Sequence, residues 1–212
     1  DVALTLVLAA VISMIIIFIF FGDYKASLIV GSSIPTSILV SLILMTSAGF
    51  SLNIITMSGL VLGVGMMVDN SIVVLESCFR ATDDTGFLEF SKAALNGTGV
   101  VYQSVIGSTL TTCVVFLPLA MLGGMTGMMF RPLGFTIVFC MTASLISAIT
   151  VVPLCYMIYK PIEKKTAPFS RPVEKMQEAY RTIMRSLLKK RGLVMLASVL
   201  LLLFSFFLAR FL

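Results

Sequence analysis

One carboxylic acid lies inside an apolar stretch that is long enough to cross a membrane. The stretch covers residues 52–75, and within it Asp69 is followed directly by Asn70. Moving a charged side chain to the centre of a bilayer costs about 2.5–3.5 kcal/mol on insertion scales. Acids in such positions usually mark the path of an ion or a proton. Asp69 is therefore the first candidate functional residue of the chain.

The composition predicts an integral membrane protein made of helices. The 212 residues are 58% hydrophobic and 12% charged, whereas soluble domains are about 25% charged. Backbone groups in hydrocarbon must find their hydrogen-bond partners within the segment, which favours an all-α fold. The chain has no histidine, and Gly123-Gly124 lacks the Lys-Ser/Thr sequel of a phosphate loop. We therefore exclude a soluble enzyme, and we expect a piece of a longer protein because both ends lie in apolar runs.

Six apolar runs have about the 20 residues that a helix needs to cross a hydrocarbon core of about 30 Å. They cover approximately residues 2–21, 27–48, 52–75, 101–122, 133–158 and 192–212. Alternating crossings place thirteen of the fifteen basic residues on one side of the membrane. Basic residues concentrate in cytoplasmic loops, so the sequence predicts a multi-pass membrane protein with this side towards the cytoplasm. The same placement explains the net charge of +5 without a nucleic-acid partner.

The runs and their connectors divide the chain into three predicted parts. Residues 1–160 hold five crossings, residues 161–191 form a cytoplasmic amphipathic connector helix, and residues 192–212 hold the sixth crossing. The connector has helical apolar spacing with a basic opposite face, as an interfacial helix has; the interpretation as a plain linker is preferred over that as a lipid sensor. We also expect a short cytoplasmic helix within residues 82–99 and a glycine-rich outer loop over residues 123–131.

Small residues precede the acid in the third run. Gly59 and Gly63 have the small-xxx-small spacing that lets another helix approach closely, and Gly65 lies beside them. Tight packing is the simplest interpretation of the glycines. We further expect it to place Asp69 in a protein interior instead of in lipid, about 9 Å from the cytoplasmic end of the run.

Asp69 itself has two interpretations. Burial favours the neutral form of an acid and a nearby cation favours the charged form, so an acid between these effects can exchange a proton as the conformation changes. The alternative is a structural clamp between helices. Arg210 is the one cation within the six runs, so a cationic partner is expected on helices outside this chain. Asn70 cannot titrate, but it can hydrogen-bond a carboxylate or an internal water.

No cofactor or metal is expected. The four cysteines are scattered, mostly within apolar runs, and none forms a CxxC pair. Without histidine they offer no zinc-ligand pattern.

Three segments resemble the resistance–nodulation–division (RND) efflux transporters. Residues 59–80, GLVLGVGMMVDNSIVVLESCFR, resemble the family's fourth transmembrane helix, whose pattern is roughly G-x-x-V-D-[DN]-[AS]-I-V-V-x-E-N. Residues 116–138, FLPLAMLGGMTGMMFRPLGFTIV, resemble its fifth helix, outer loop and sixth helix. Residues 151–161, VVPLCYMIYKP, resemble the end of that sixth helix.

The resemblance implies that the chain covers helices two to seven of such a transporter, including the interfacial helix between its halves. The remaining helices and the extracytoplasmic domains would lie outside the chain. Asp69 matches the first of two adjacent aspartates in the drug-exporting branch, and Asn70 departs from the second. The resemblance further implies a non-enzymatic proton antiporter for drugs or amphiphiles, a homotrimer in lipid and a periplasmic or extracellular adaptor. The alternatives are an RND exporter of lipid, metal or other cargo, and a non-transporting scaffold or sensor with Asp69 as a helix clamp.

Overall fold

The computed structural model of the protein describes residues 2–85, 89–161 and 170–209, and these residues form helices and no strands. The helices are α1 (Val2–Phe21), α2 (Tyr24–Ser47), α3 (Ile54–Thr85), α4 (Phe90–Ala120), α5 (Gly124–Tyr159), α6 (Ser170–Lys189) and α7 (Arg191–Ala209). The chain divides into two compact units, residues 1–167 with α1–α5 and residues 168–212 with α6 and α7.

The all-α membrane fold predicted from the apolar runs is confirmed. By length and composition, α2, α4, α5 and the stretch Ile54–Asp83 of α3 are each able to cross a membrane. Within the described residues, the apolar part of α1 is the shorter stretch Val7–Ile19. Part of α6 and part of α7 pass the same test only together, as one bent pair. The structure therefore supports four crossings, or five with the bent pair, where the sequence predicted six.

Two predicted connectors are instead parts of long helices. Residues 82–85 end α3, Glu89 precedes α4, and α4 then runs unbroken from Phe90 to Ala120, so residues 90–99 are not a separate short helix. The predicted outer loop over 123–131 is helical from Gly124 onward. Two glycines suffice for the turn, because Gly123 takes an extended conformation and Gly124 has a positive φ of 69°.

The turn between α1 and α2 is closed by a buried acid. Gly22 has a φ of 65°, and Asp23, 5% exposed, is the N-cap of α2. Its Oδ1 accepts a hydrogen bond from the Lys25 backbone N–H at 3.1 Å. A carboxylate in this position satisfies a free donor and interacts favourably with the helix dipole. The turn can therefore be short and still bury an ionisable side chain.

Helix α5 is central to the first unit, where it packs against α2, α3 and α4. Close approach to α4 depends on Gly134, where an added Cβ would lie 2.8 Å from the backbone nitrogen of Ala120. Helices α3 and α4 approach equally closely at Gly97, where a Cβ would lie 2.7 Å from Ser77 O and from Cys78 Cα. The Ser77 hydroxyl donates to Gly97 O at 2.7 Å. Backbones thus meet directly at these crossings.

Aromatic rings tie four helices together near the α1–α2 turn. Phe79 of α3 stacks on Phe21 of α1 at 5.3 Å between centroids and meets Tyr156 of α5 edge-on at 5.5 Å. Phe90 of α4 lies 5.9 Å from the Tyr156 ring. The Tyr156 hydroxyl is hydrogen-bonded to Thr82 Oγ1 at 2.6 Å. This end of the first unit is therefore a packed junction with its polar atoms satisfied.

The Gly97 crossing generates a stability prediction. Gly97→Ala would press a methyl group on the α3 backbone and force the helices apart, at about 1–3 kcal/mol of stability. Gly99→Ala is the matched control, because a Cβ at Gly99 meets no atom within 4 Å. Thermal unfolding of the purified chain in detergent should show a lower midpoint for Gly97→Ala and an unchanged or raised one for Gly99→Ala. Equal unfolding midpoints for the two variants would contradict the close contact between α3 and α4 at Gly97.

Candidate functional site

Asp69 and Asn70 lie on different faces of α3. Successive helical residues point about 100° apart, and here that rotation separates an exposed position from a buried one. Asp69 is exposed in this chain, whereas Asn70 is only 5% exposed. The two residues are therefore adjacent in the sequence but have different surroundings.

Asn70 joins three helices. Its Nδ2 donates to Thr109 Oγ1 of α4 at 3.2 Å and to Ser144 Oγ of α5 at 3.3 Å. Ser144 Oγ in turn donates to the backbone oxygen of Met67 at 2.8 Å. The sequence analysis expected a carboxylate or a water as the partner of Asn70, but the structure places two hydroxyls there.

A second polar contact lies one residue further along α3. Ser71 Oγ and Ser33 Oγ of α2 are 2.9 Å apart, and Ser147 Oγ of α5 donates to Ser33 O at 3.4 Å. All three serines are buried. Asn70 and Ser71 thus face the interior with α2, α4 and α5, and together they fix the rotation of α3.

The other hydroxyls near the start of α3 do not extend this polar contact. Ser58 Oγ donates back to Ile54 O of its own helix at 2.8 Å. Thr56 Oγ1 accepts from the Asn53 backbone N–H at 2.8 Å, at the beginning of the helix. Both contacts are local, which is common for hydroxyls in membrane helices.

The three glycines also lie on different faces of α3: Gly59 and Gly63 are packed against a neighbouring helix, and Gly65 is exposed. A Cβ on Gly59 would lie 3.0 Å from Thr136 Cβ, and one on Gly63 would lie 2.8 Å from Cys140 Cβ, so both pack against α5. Gly65 is exposed and meets no atom within 4 Å. Gly65 is two residues, about 200°, round the helix from Gly63. It lies one turn before Asp69, on the exposed face.

Asp69 occupies the middle of that exposed face. It lies about 22 Å from Ile54 and about 24 Å from Thr85 at 1.5 Å per residue, because α3 continues well past Leu75. Leu62, Gly65 and Val73 are exposed on the same helix. Over residues 2–85, 89–161 and 170–209, the structure records no hydrogen bond or ion pair to the Asp69 carboxylate. Arg210 lies outside the described residues.

The exposed face continues into a groove between α3 and α4. The groove has a volume of about 530 Å³. It is lined by Val73, Glu76, Ser77, Arg80, Ala81, Asn96, Gly97, Val100 and Val101. Glu76 and Arg80 form an ion pair one turn apart on its α3 side. Further along α4, several exposed residues are small or polar: Gln103, Ser104, Gly107, Ser108 and Thr111.

The residues that position Asn70 could not be identified from the sequence analysis. Thr109 and Ser144 are single hydroxyls in different apolar runs, without a shared motif. Their signal is weak: a hydroxyl near the middle of an apolar run, which more often bonds to its own helix. No group of three or more metal-ligating side chains occurs in the part of the chain that the structure describes.

Comparison with known proteins identifies the family. A sequence model of the AcrB/AcrD/AcrF family matches residues 1–212. The swarming motility protein SwrC of Bacillus subtilis (strain 168) is 32% identical over 95% of this chain and 20% of its own length. The toluene efflux pump membrane transporter TtgB of Pseudomonas putida is 32% identical over 76% of the chain and 15% of its own length.

A third relative gives the same result. The multidrug resistance protein MdtF of Escherichia coli (strain K12) is 30% identical over 92% of the chain and 20% of its own length. The chain therefore spans about a fifth or less of the length of these relatives. Together with the long apolar helices, the match over all 212 residues shows that the chain is part of a multi-pass membrane protein. It belongs to the AcrB/AcrD/AcrF family of RND efflux transporters.

Proposed function

We propose that this chain is the proton-coupling part of an RND exporter in the cytoplasmic membrane, and that Asp69 takes up and releases the proton. The observation that carries the proposal is the position of Asp69, an exposed acid near the middle of a helix long enough to cross the membrane. The relative named as a toluene efflux pump membrane transporter supports the transport function.

The described residues of the first unit leave the α3 face around Asp69 uncovered. A carboxylate facing lipid at that depth is costly, whereas Gly65 beside it leaves room for another helix to approach. In the full-length protein, the second set of RND helices covers this face and supplies the cation that pairs with the ionised acid. Protonation of Asp69 removes that attraction and lets the two sets of helices shift.

Asn70 serves this site as a neutral positioning residue. The Ser144 hydroxyl has one hydrogen, which it donates to Met67 O, so towards residue 70 its oxygen acts as an acceptor. An amide N–H donates to that oxygen, whereas an ionised carboxylate would need the hydroxyl to turn and leave Met67 O. The surroundings of Asn70 thus favour an amide. The proposal therefore assigns one titratable acid to this half of the transporter.

One acid is enough to couple transport to the membrane potential. A proton that crosses 100 mV releases about 2.3 kcal/mol, which shifts a conformational equilibrium by about 50-fold. Drugs or amphiphiles are the proposed cargo, by analogy with the relatives named as a toluene efflux pump and as a multidrug resistance protein. The proposed assembly is a homotrimer in lipid with extracytoplasmic domains and a periplasmic or extracellular adaptor.

The proton role predicts a loss of coupled transport in the Asp69→Asn variant. The amide keeps the size of the side chain but cannot change its charge. In the full-length protein reconstituted in vesicles, a pH dye should report substrate-dependent proton flux at the level of empty vesicles, and export should fall with it. Asp83→Asn is the matched control, because Asp83 is an exposed acid near the end of the same helix, and it should transport normally.

Normal proton flux and export in a stably expressed Asp69→Asn protein would contradict the proposal. If export continued without any proton flux in the native protein, Asp69 would instead be a helix clamp. If neither activity occurred in the native protein with its full set of domains, the scaffold or sensor alternative would stand. If the native protein coupled proton flux to a cargo other than drugs, the alternative of an exporter of lipid, metal or other cargo would be favoured.

The positioning role predicts a separate effect for Asn70→Ala. Loss of two interhelical hydrogen bonds should destabilise the first unit by about 1 kcal/mol, since such bonds average about 0.6 kcal/mol in membrane proteins. Thermal or detergent unfolding of the purified chain measures this change. Asn96→Ala, at an exposed asparagine of α4, should leave the unfolding midpoint within error. An unchanged midpoint for Asn70→Ala would argue against the three-helix contact.

A further inference from the structure

The second unit carries a basic face that the proton-coupling proposal does not use. Within residues 176–191, five side chains are basic and one, Glu178, is acidic. Arg181, Arg185 and Lys189 are spaced four residues apart, so they lie along one side of α6. All three are exposed, and Lys190 and Arg191 are exposed at the junction with α7.

The other side of α6 is apolar and equally uncovered. Met176, Tyr180, Ile183 and Leu187 follow the spacing of one helix face, and they are 73%, 60%, 58% and 43% exposed. A helix with a basic side and an apolar side is suited to the boundary between water and lipid. Within the second unit, nothing described covers either side.

The bend between α6 and α7 indicates how α6 is oriented relative to the membrane. The stretches Glu178–Lys189 and Val194–Leu208 meet at 91°. Helix α7 has an almost wholly apolar and exposed surface, as expected of a helix in lipid. If α7 enters the membrane along its normal, α6 lies in the plane of the surface. Long basic side chains can then extend their charges to the headgroups while the apolar side contacts the acyl chains.

We propose that α6 and the α6–α7 junction form a binding surface for anionic phospholipid headgroups. The charge of this surface determines which lipid it prefers. Over residues 176–191, five cations against one anion attract a net negative headgroup such as phosphatidylglycerol more than a zwitterionic one. Each basic residue near an anionic surface contributes about fivefold to binding. The surface sets which lipids gather at the point where the connector helix enters the bilayer. It is independent of Asp69.

The test uses the absence of tryptophan in the chain. Ile183→Trp places a single fluorophore on the apolar side of α6. The 212-residue chain is reconstituted in mixed vesicles in which either phosphatidylglycerol or phosphatidylcholine carries brominated acyl chains, which quench tryptophan on contact. Stronger quenching by the brominated anionic lipid, equivalent to a preference of at least about fivefold, is expected. The preference should decrease in 1 M salt, where the screening length falls to about 3 Å.

Charge variants test whether α6 causes the preference for the anionic lipid. We expect the preference to be lost in the triple variant Arg181→Gln, Arg185→Gln and Lys189→Gln, and to increase in Glu178→Gln. The matched control removes as many charges from the first unit, as Arg80→Gln, Lys92→Gln and Arg131→Gln, and should leave it unchanged. Equal quenching by both lipids in the native chain, or a preference unaffected by the α6 substitutions, would overturn the proposal. If the triple α6 variant failed to insert, the native salt dependence and Glu178→Gln would still decide it.

Discussion

Close approach between backbones is the constraint on which the first unit depends. Lipid is as apolar as leucine, so burying apolar side chains gives little advantage over leaving them in the bilayer, and tight packing and hydrogen bonds must hold the helices together. Gly97 lets α4 reach the α3 backbone, and Gly134 lets α5 reach α4. At the Gly97 crossing, where the backbones come this near, the short Ser77 side chain can donate a hydrogen bond to Gly97 O across the gap. The small residue thus allows both close packing and a polar contact at that point.

Much of the helical fold could be predicted because a helix that crosses a membrane needs a long run of apolar residues, which is easily recognised in a sequence. The run beginning at Val2 matches α1, and the basic amphipathic stretch near Tyr180 matches α6. Helix ends were less predictable, because a run of apolar residues ends where lipid ends, whereas the helix continues into water. That is why α3 extends ten residues past Leu75 and why Gly124 already begins α5.

The sequence predicted where the candidate site lies, but it did not predict which side chains contact each other there. Asp69 is conspicuous because an acid in an apolar run is rare. The partners of Asn70 come from helices 39 and 74 residues away, and long-range pairing of single hydroxyls has no local pattern. The orientation of Gly65 away from Gly59 and Gly63 follows from helix geometry alone. Only the arrangement of α5 shows which of these glycines is packed against a neighbour.

Helix α3 is 32 residues long, so at 1.5 Å per residue it measures about 48 Å and exceeds a hydrocarbon core of about 30 Å. Its hydrogen bonds to α4 and α5 lie near its midpoint, at Asn70, and again about 10 Å and 18 Å further along the helix, at Ser77 and Thr82. The acid lies about 100° round the helix from Asn70, on the exposed side. Attachment at more than one level fixes the tilt of α3 relative to both neighbours, so the three helices would move as one body. A change of charge at Asp69 would therefore shift the whole group and not α3 within it.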